Sequence, residues 1–196
     1  MKKLLIPLLL IILWAANVYA LGPALQACAG AGGSAACTDT IKDSNTTDNA
    51  TRNVDSAAYI YISSDWVAKS NYDLSKVVLK LSKYGSPTAN ATVRIYGESS
   101  SAPNALLGES AAIASSTFTT DGAEYIFSFA SAIGIIEGDH YWIIVWVNGA
   151  FDATNYIKIH YDNSTANGGH GIGRYTTSYA GLDSSAQFYF KTVACE

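Results

Sequence analysis

Apolar residues return at every second position in run after run of this chain, and that periodicity most restricts what it can fold into. Over residues 74–83, Val77, Leu79 and Leu81 alternate with Lys76, Lys80 and Lys83, the signature of a strand with one buried face. Ala91, Val93 and Ile95 alternate with Thr92, Arg94 and Tyr96, and Tyr125, Phe127 and Phe129 with Ile126 and Ser128. Residues 141–147 (YWIIVWV) are apolar on both sides, as in a central strand covered on both faces. Trp142 and Trp146 share one side of that strand and are expected in the core. Residues 59–62, 105–114, 156–161, 187–193 and briefly 172–175 complete the set, and no stretch has a helical period. About eight short strands separated by turn residues predict an all-β antiparallel sandwich, with a jelly roll expected. Gly85-Ser86-Pro87 reads as the turn of a hairpin within one sheet.

The N-terminus carries a different signal. Met1-Lys2-Lys3, an apolar run to Trp14 and Val18-Tyr19-Ala20 predict a signal peptide over residues 1–20. The apolar run falls short of the ~20 residues of a membrane span. Leu25-Gln26-Ala27-Cys28 is a poor lipobox, so lipidation at Cys28 is the lesser reading. Residues 21–56 are small and polar with almost no apolar pairs, which predicts a flexible leader. The single β-sandwich domain is then expected over 57–196. Secretion makes a disulfide expected among Cys28, Cys37 and Cys195. Cys28–Cys37 would close a short loop and Cys37–Cys195 would join the ends; the sequence leaves both open.

The twelve basic residues less Lys2 and Lys3 leave ten, against sixteen acidic ones. With no basic run, nucleic acid is excluded as an expected partner. No G-x-S-x-G, H-E-x-x-H or phosphate-binding loop is present. Asp121, Glu124, Glu137 and Asp139 fit a glycosidase carboxylate pair by type only and read as solvated turn residues. His140, His160 and His170 are not spaced as a local zinc motif. No cofactor is expected beyond a structural calcium, for which Asp152, Asp162 and Asn163 are candidates, with an Asx turn as the plainer role. Sequons begin at Asn45, Asn49, Asn90 and Asn163.

Glycan recognition uses aromatic faces against sugar C–H patches, with amides and charged forks for the hydroxyls. Residues 162–185 read as a Gly-rich loop offering His170, Arg174, Tyr175 and Tyr179 near Asn167, with Tyr161 leading in. Trp66, in what reads as a loop, is the tryptophan expected to be exposed. These are the candidate ligand-binding residues, although tyrosines at a sandwich edge serve equally as packing.

The run LSKVVLKLSKYGSPTANATVRIYGES, then APNALLGES, then YIFSFASAIGIIEGDHYWIIV, with the late AQFYFKT, resembles the choice-of-anchor R type domain of bacterial secreted and surface proteins over about residues 57–193. The resemblance implies a jelly-roll, carbohydrate-binding-module-like sandwich with no catalytic residues to carry over. Such proteins usually bear a C-terminal anchor, and no such signal precedes Cys195-Glu196. The leading expectation is a secreted, non-catalytic β-sandwich that binds an extracellular polysaccharide or surface glycan, with no stable membrane span. The alternatives are a structural, self-associating surface subunit and a glycan-active hydrolase or lyase.

Overall fold

The structure, a computed structural model, describes residues 37–56, 61–164, 172–175, 179–183 and 185–196. In chain order the strands are β1 (Asp39–Asn45), β2 (Ala50–Val54), β3 (Tyr61–Val67), β4 (Tyr72–Tyr84), β5 (Asn90–Ser99), β6 (Ala102–Glu109) and β7 (Ile113–Ala114). They continue as β8 (Ala123–Ile135), β9 (His140–Asn148), β10 (Tyr156–Asp162), β11 (Ile172–Tyr175), β12 (Tyr179–Asp183), β13 (Gln187–Phe188) and β14 (Phe190–Cys195). Among the described residues they form two antiparallel sheets of seven strands each, more than the eight expected in total. The first runs β1-β14-β4-β10-β13, with β2 also on β10 and β8 on β4; the second runs β12-β11-β3-β9-β5-β6, with β7 on β5. Among the described residues no helix is long and apolar enough to cross a membrane.

The inward faces follow the alternation. Leu74, Val77, Leu79 and Leu81 of β4 meet Ala91, Val93 and Ile95 of β5 and Tyr141, Ile143, Val145 and Val147 of β9 in one core cluster. Each large side chain so buried contributes roughly 1.5–3 kcal/mol. Slipping any of these strands by one residue would turn its apolar set to the outside, so the pattern also fixes the register.

Three expectations are corrected. Gly85-Ser86-Pro87 does not close a hairpin within one sheet: β4 lies in the first sheet and β5 in the second, so the segment carries the chain across the sandwich. It is docked on the turn before β10, where Asn155 Oδ1 accepts from the Ser86 amide at 2.8 Å. A turn signal reports a change of direction, not which sheet receives the next strand.

The leader, expected to be flexible to residue 56, is folded from Cys37. β1 pairs with β14 and β2 with β10, and Val54 is fully buried in the core. What holds β1 is not apolar periodicity but backbone pairing and buried polar groups. The Asp43 carboxylate accepts from the Tyr72 hydroxyl at 2.8 Å, and Asn45 Nδ2 donates to the carbonyls of Gln187 and Phe188. Burial, the largest influence, lifts the Tyr72 phenol well above its ordinary pKa, so it stays a donor. Cys37 bonds to Cys195 with Cα atoms 5.2 Å apart, which selects the pairing that joins the ends.

Residues 162–185 hold one strand more than the brief one expected. β11, at the expected 172–175, forms a hairpin with β12 and extends the second sheet beyond β3. The expected signal peptide, residues 21–36 with Cys28, and Asn167 and His170 lie outside the described residues.

Candidate functional site

Core parity leaves Trp142, Ile144 and Trp146 of β9 on the face turned away from the first sheet. The two tryptophans do share one face, as expected, but it is the outer one. Trp142 is 0% exposed yet stands apart from the core cluster, and Trp146 is half-buried. Tyr61, opposite Trp146 across the β3–β9 ladder, stacks on it at 6.1 Å between centroids. The Arg94 guanidinium lies 4.0 Å from the Trp146 centroid and 5.9 Å from that of Tyr61, and is tied to Glu109 at 2.5 Å. That cation covers the ring pair, so it is no open platform for a sugar.

At the other end of the same strands is a cleft of about 520 Å³, bounded by the β5–β6 and β8–β9 turns. Its lining includes Glu98, Ser99, Ser100, Asp139 and His140 beside the apolar Leu107 and Ile136. The size suits a small ligand or one or two sugar rings. Ser100 and Ser101 hold the β5–β6 turn with φ of 54° and 61°. Such a two-residue hairpin turn is normally made by Asn-Gly, and strain of this kind gathers at functional sites.

Three side chains converge beside this cleft. Asp65 pairs with Trp142, Val67 with His140, and Gly97 with Tyr141. Continuing the last register sets Glu98 opposite His140, with Asp65, on the other side of β9, diagonal to His140. His140 Nδ1 lies 3.8 Å from Asp65 Oδ2 and 3.6 Å from Glu98 Oε2. Trp142 Nε1 donates to Glu98 Oε2 at 3.1 Å. The Asp65 side chain is 1% exposed, so it cannot touch a bound sugar and does not form a glycosidase pair with Glu98. Sequence reasoning missed this cluster because Asp65, Glu98 and His140 all lie just outside the strands expected at 59–62, 91–96 and 141–147. Strand parity would have grouped them: Glu98 continues the outward series Thr92, Arg94, Tyr96, and His140 continues Trp142.

The expected ligand residues are placed otherwise. Trp66 is 2% exposed and packs on Tyr141 and Phe190 in the core. The β3 strand runs through Ser63-Ser64-Asp65, and its alternation turns Trp66 inward with Ile62. Tyr161 is likewise a core residue, 8% exposed. Arg174 and Tyr175 lie on β11 and Tyr179 on β12, at the end of the second sheet opposite the cleft. The calcium candidates are not brought together. Asp152 caps its own turn, where the Thr154 hydroxyl and amide and Asn155 hold its carboxyl down at about 2. Asp162, at the far end of β10, accepts from Asn49 Nδ2 and from the Ser164 amide and hydroxyl. Strand β10 separates them by roughly 20 Å. Asn163 donates its amide to Asn49 Oδ1.

A second constellation has the spacing of a hydrolase triad. Ser82 Oγ is 2.9 Å from His160 Nε2, and His160 Nδ1 is 3.0 Å from Asp48 Oδ1. Order and distances match nucleophile, base and orienting carboxylate. Access does not. Ser82 is 1% exposed, and Gly122 stands so close over the imidazole that a Cβ there would come within 2.7 Å of it. Asp48 is also bound by Lys80 at 2.5 Å. The group therefore locks the β1–β2 connection onto β4 and β10.

Set against known proteins, the chain matches no family model and no curated protein. Neither comparison identifies a choice-of-anchor R type domain.

Proposed function

We propose that this protein is an exported, non-catalytic β-sandwich that binds an extracellular glycan in the cleft between the β5–β6 and β8–β9 turns. The observation that carries the reading is the composition of that cleft. Carboxylates, an imidazole and serine hydroxyls line it beside Leu107 and Ile136, which are partners for sugar hydroxyls and for the C–H face. Those groups are offered by strand ends and the turns between them on a rigid sheet, and turns held by a rigid scaffold are a usual place for binding residues. The Cys37–Cys195 disulfide suits an oxidising compartment, and the signal-like N-terminus agrees with it.

Retention of the protein on a panel of insoluble polysaccharides, with a glycan array beside it, tests this. Asp139→Ala and Leu107→Ala should lose retention while their melting curves stay near wild type. Tyr175→Ala, at the other end of the sheet, should bind normally. Loss in Tyr175→Ala alone moves the site to the β11–β12 hairpin.

Self-assembly is the second reading, and one observation favours it. Strand β6 ends the second sheet and exposes Leu106 (51%) and Leu107 (42%), a template for edge pairing. If no glycan retains the protein and it sediments as an oligomer that Leu106→Lys dissolves, assembly replaces binding.

A further inference from the structure

We propose that Asp65, Glu98 and His140 bind a divalent first-row transition metal, for which Zn²⁺ is the probe ion. One ligand atom from each lies within 4.8 Å of the others. The 3.6 and 3.8 Å separations from His140 Nδ1 are too long for hydrogen bonds. They are close to the roughly 3.4 Å between ligand atoms in a tetrahedral shell with bonds of 2.0–2.2 Å. Small rotations about the side-chain torsions would close the shell.

The donor set points to the class of ion. Two carboxylates and an imidazole favour zinc or manganese over calcium, which takes oxygen ligands alone. The site is stiff, because its ligands come from three adjacent strands, β3, β5 and β9. Glu98 and His140 both line the cleft, so the remaining coordination positions face water or a ligand there. Trp142 Nε1, bonded to Glu98 Oε2, orients that carboxylate in the manner of outer-shell donors.

Calorimetric titration of the chelator-treated whole chain with Zn²⁺ and, separately, Ca²⁺ tests the site. A Cys28→Ser background keeps the third cysteine from competing for zinc. Saturable one-to-one Zn²⁺ binding is expected, with a rise in melting temperature and weaker Ca²⁺ binding. His140→Ala and Glu98→Gln should each weaken Zn²⁺ by about a hundredfold or more, and Trp142→Phe by about tenfold to a hundredfold. Asp121→Asn should change nothing. Should His140→Ala fail to fold, Glu98→Gln, which keeps the side chain's size and shape, decides alone. Absence of saturable Zn²⁺ binding, or unchanged affinity in Glu98→Gln, overturns the assignment. No glycan enters the titration, so it can fail while polysaccharide retention stands, and the reverse.

Discussion

The Trp142 indole donates to the Glu98 carboxylate across 3.1 Å, from a face of β9 that points away from the sandwich core. A fully buried tryptophan is thereby tied to the wall of the cleft and not to the apolar interior. Trp142→Phe keeps most of the apolar burial but removes the donor. It should lower stability by about 1.5–3 kcal/mol, the usual worth of a hydrogen bond to a charged group. Trp142→Ala should cost about 3–5 kcal/mol. Urea titrations of the two variants separate the hydrogen bond from the packing; equal stability of Trp142→Phe and wild type would assign the whole effect to packing.

Cys37 and Cys195 are 158 residues apart in sequence and stand at the paired ends of β1 and β14. A closed loop of that length restricts the unfolded chain by about 5 kcal/mol. The double variant Cys37→Ser/Cys195→Ser should lose stability on that scale, and β1 amides should exchange sooner than those of β4. Guanidinium titration with and without reductant, followed by hydrogen exchange, reads out both.

Acid should weaken the first sheet through Asp48 and Glu124. Burial would raise Asp48, but the hydrogen bonds and charges of Lys80 and His160 outweigh it and hold its carboxyl below the ordinary value. Lys191, aided by the Tyr189 hydroxyl, holds Glu124 down likewise. A carboxyl depressed in the folded state contributes stability that is complete above its unfolded pKa of about 4 and is lost as pH falls through the folded value. Lys80, raised chiefly by its hydrogen bond to Asp48, works in the opposite sense, its contribution fading above about pH 10.5. The melting temperature should therefore fall below about pH 4, and Asp48→Asn or Glu124→Gln should flatten that fall. Identical acid profiles for variants and wild type would remove these groups from the account.

Ser101 holds a left-handed backbone with φ of 61° in the turn beside the cleft. Only glycine adopts that region without penalty. Ser101→Gly should raise stability by about 0.5–1 kcal/mol, less than the full relief because glycine also loosens the unfolded chain. A melting temperature that falls instead would mean the hydroxyl is engaged in the turn.

How far the fold was legible follows from what holds each element. The interior of β4, β5 and β9 could be read because their apolar residues keep period 2 through the core. Strand β1 could not, since Asp43 and Asn45 hold it through polar contacts to Tyr72 and the β13–β14 segment, and those leave no periodicity. Trp66 was misread because Ser63-Ser64-Asp65 resembles a turn, whereas in β3 those residues alternate between an outer face and a core edge. The cluster of Asp65, Glu98 and His140 was hidden for the same reason: it exists only once β3, β5 and β9 are side by side, and sheet order is not a local property.

Gly85 is where that non-local order is set. It passes the chain from the first sheet to the second with φ of +67°, and a Cβ there would lie 2.2 Å from the Thr154 carbonyl oxygen and 2.6 Å from Asn155 Oδ1. The first of these neighbours is backbone and the second is fixed by its bond to the Ser86 amide, so neither can yield cheaply. Gly85→Ala adds the left-handed penalty of roughly 1–2 kcal/mol to a clash comparable to overpacking, about 1–3 kcal/mol. A total loss near 2–5 kcal/mol is expected from those two terms, large for one methyl group on a surface turn. Asn155→Ala in the same background should recover the share due to the side-chain clash and leave the rest. Equilibrium unfolding of the single and double variants measures both shares, and a wild-type midpoint for Gly85→Ala would show that the crossover does not depend on this contact.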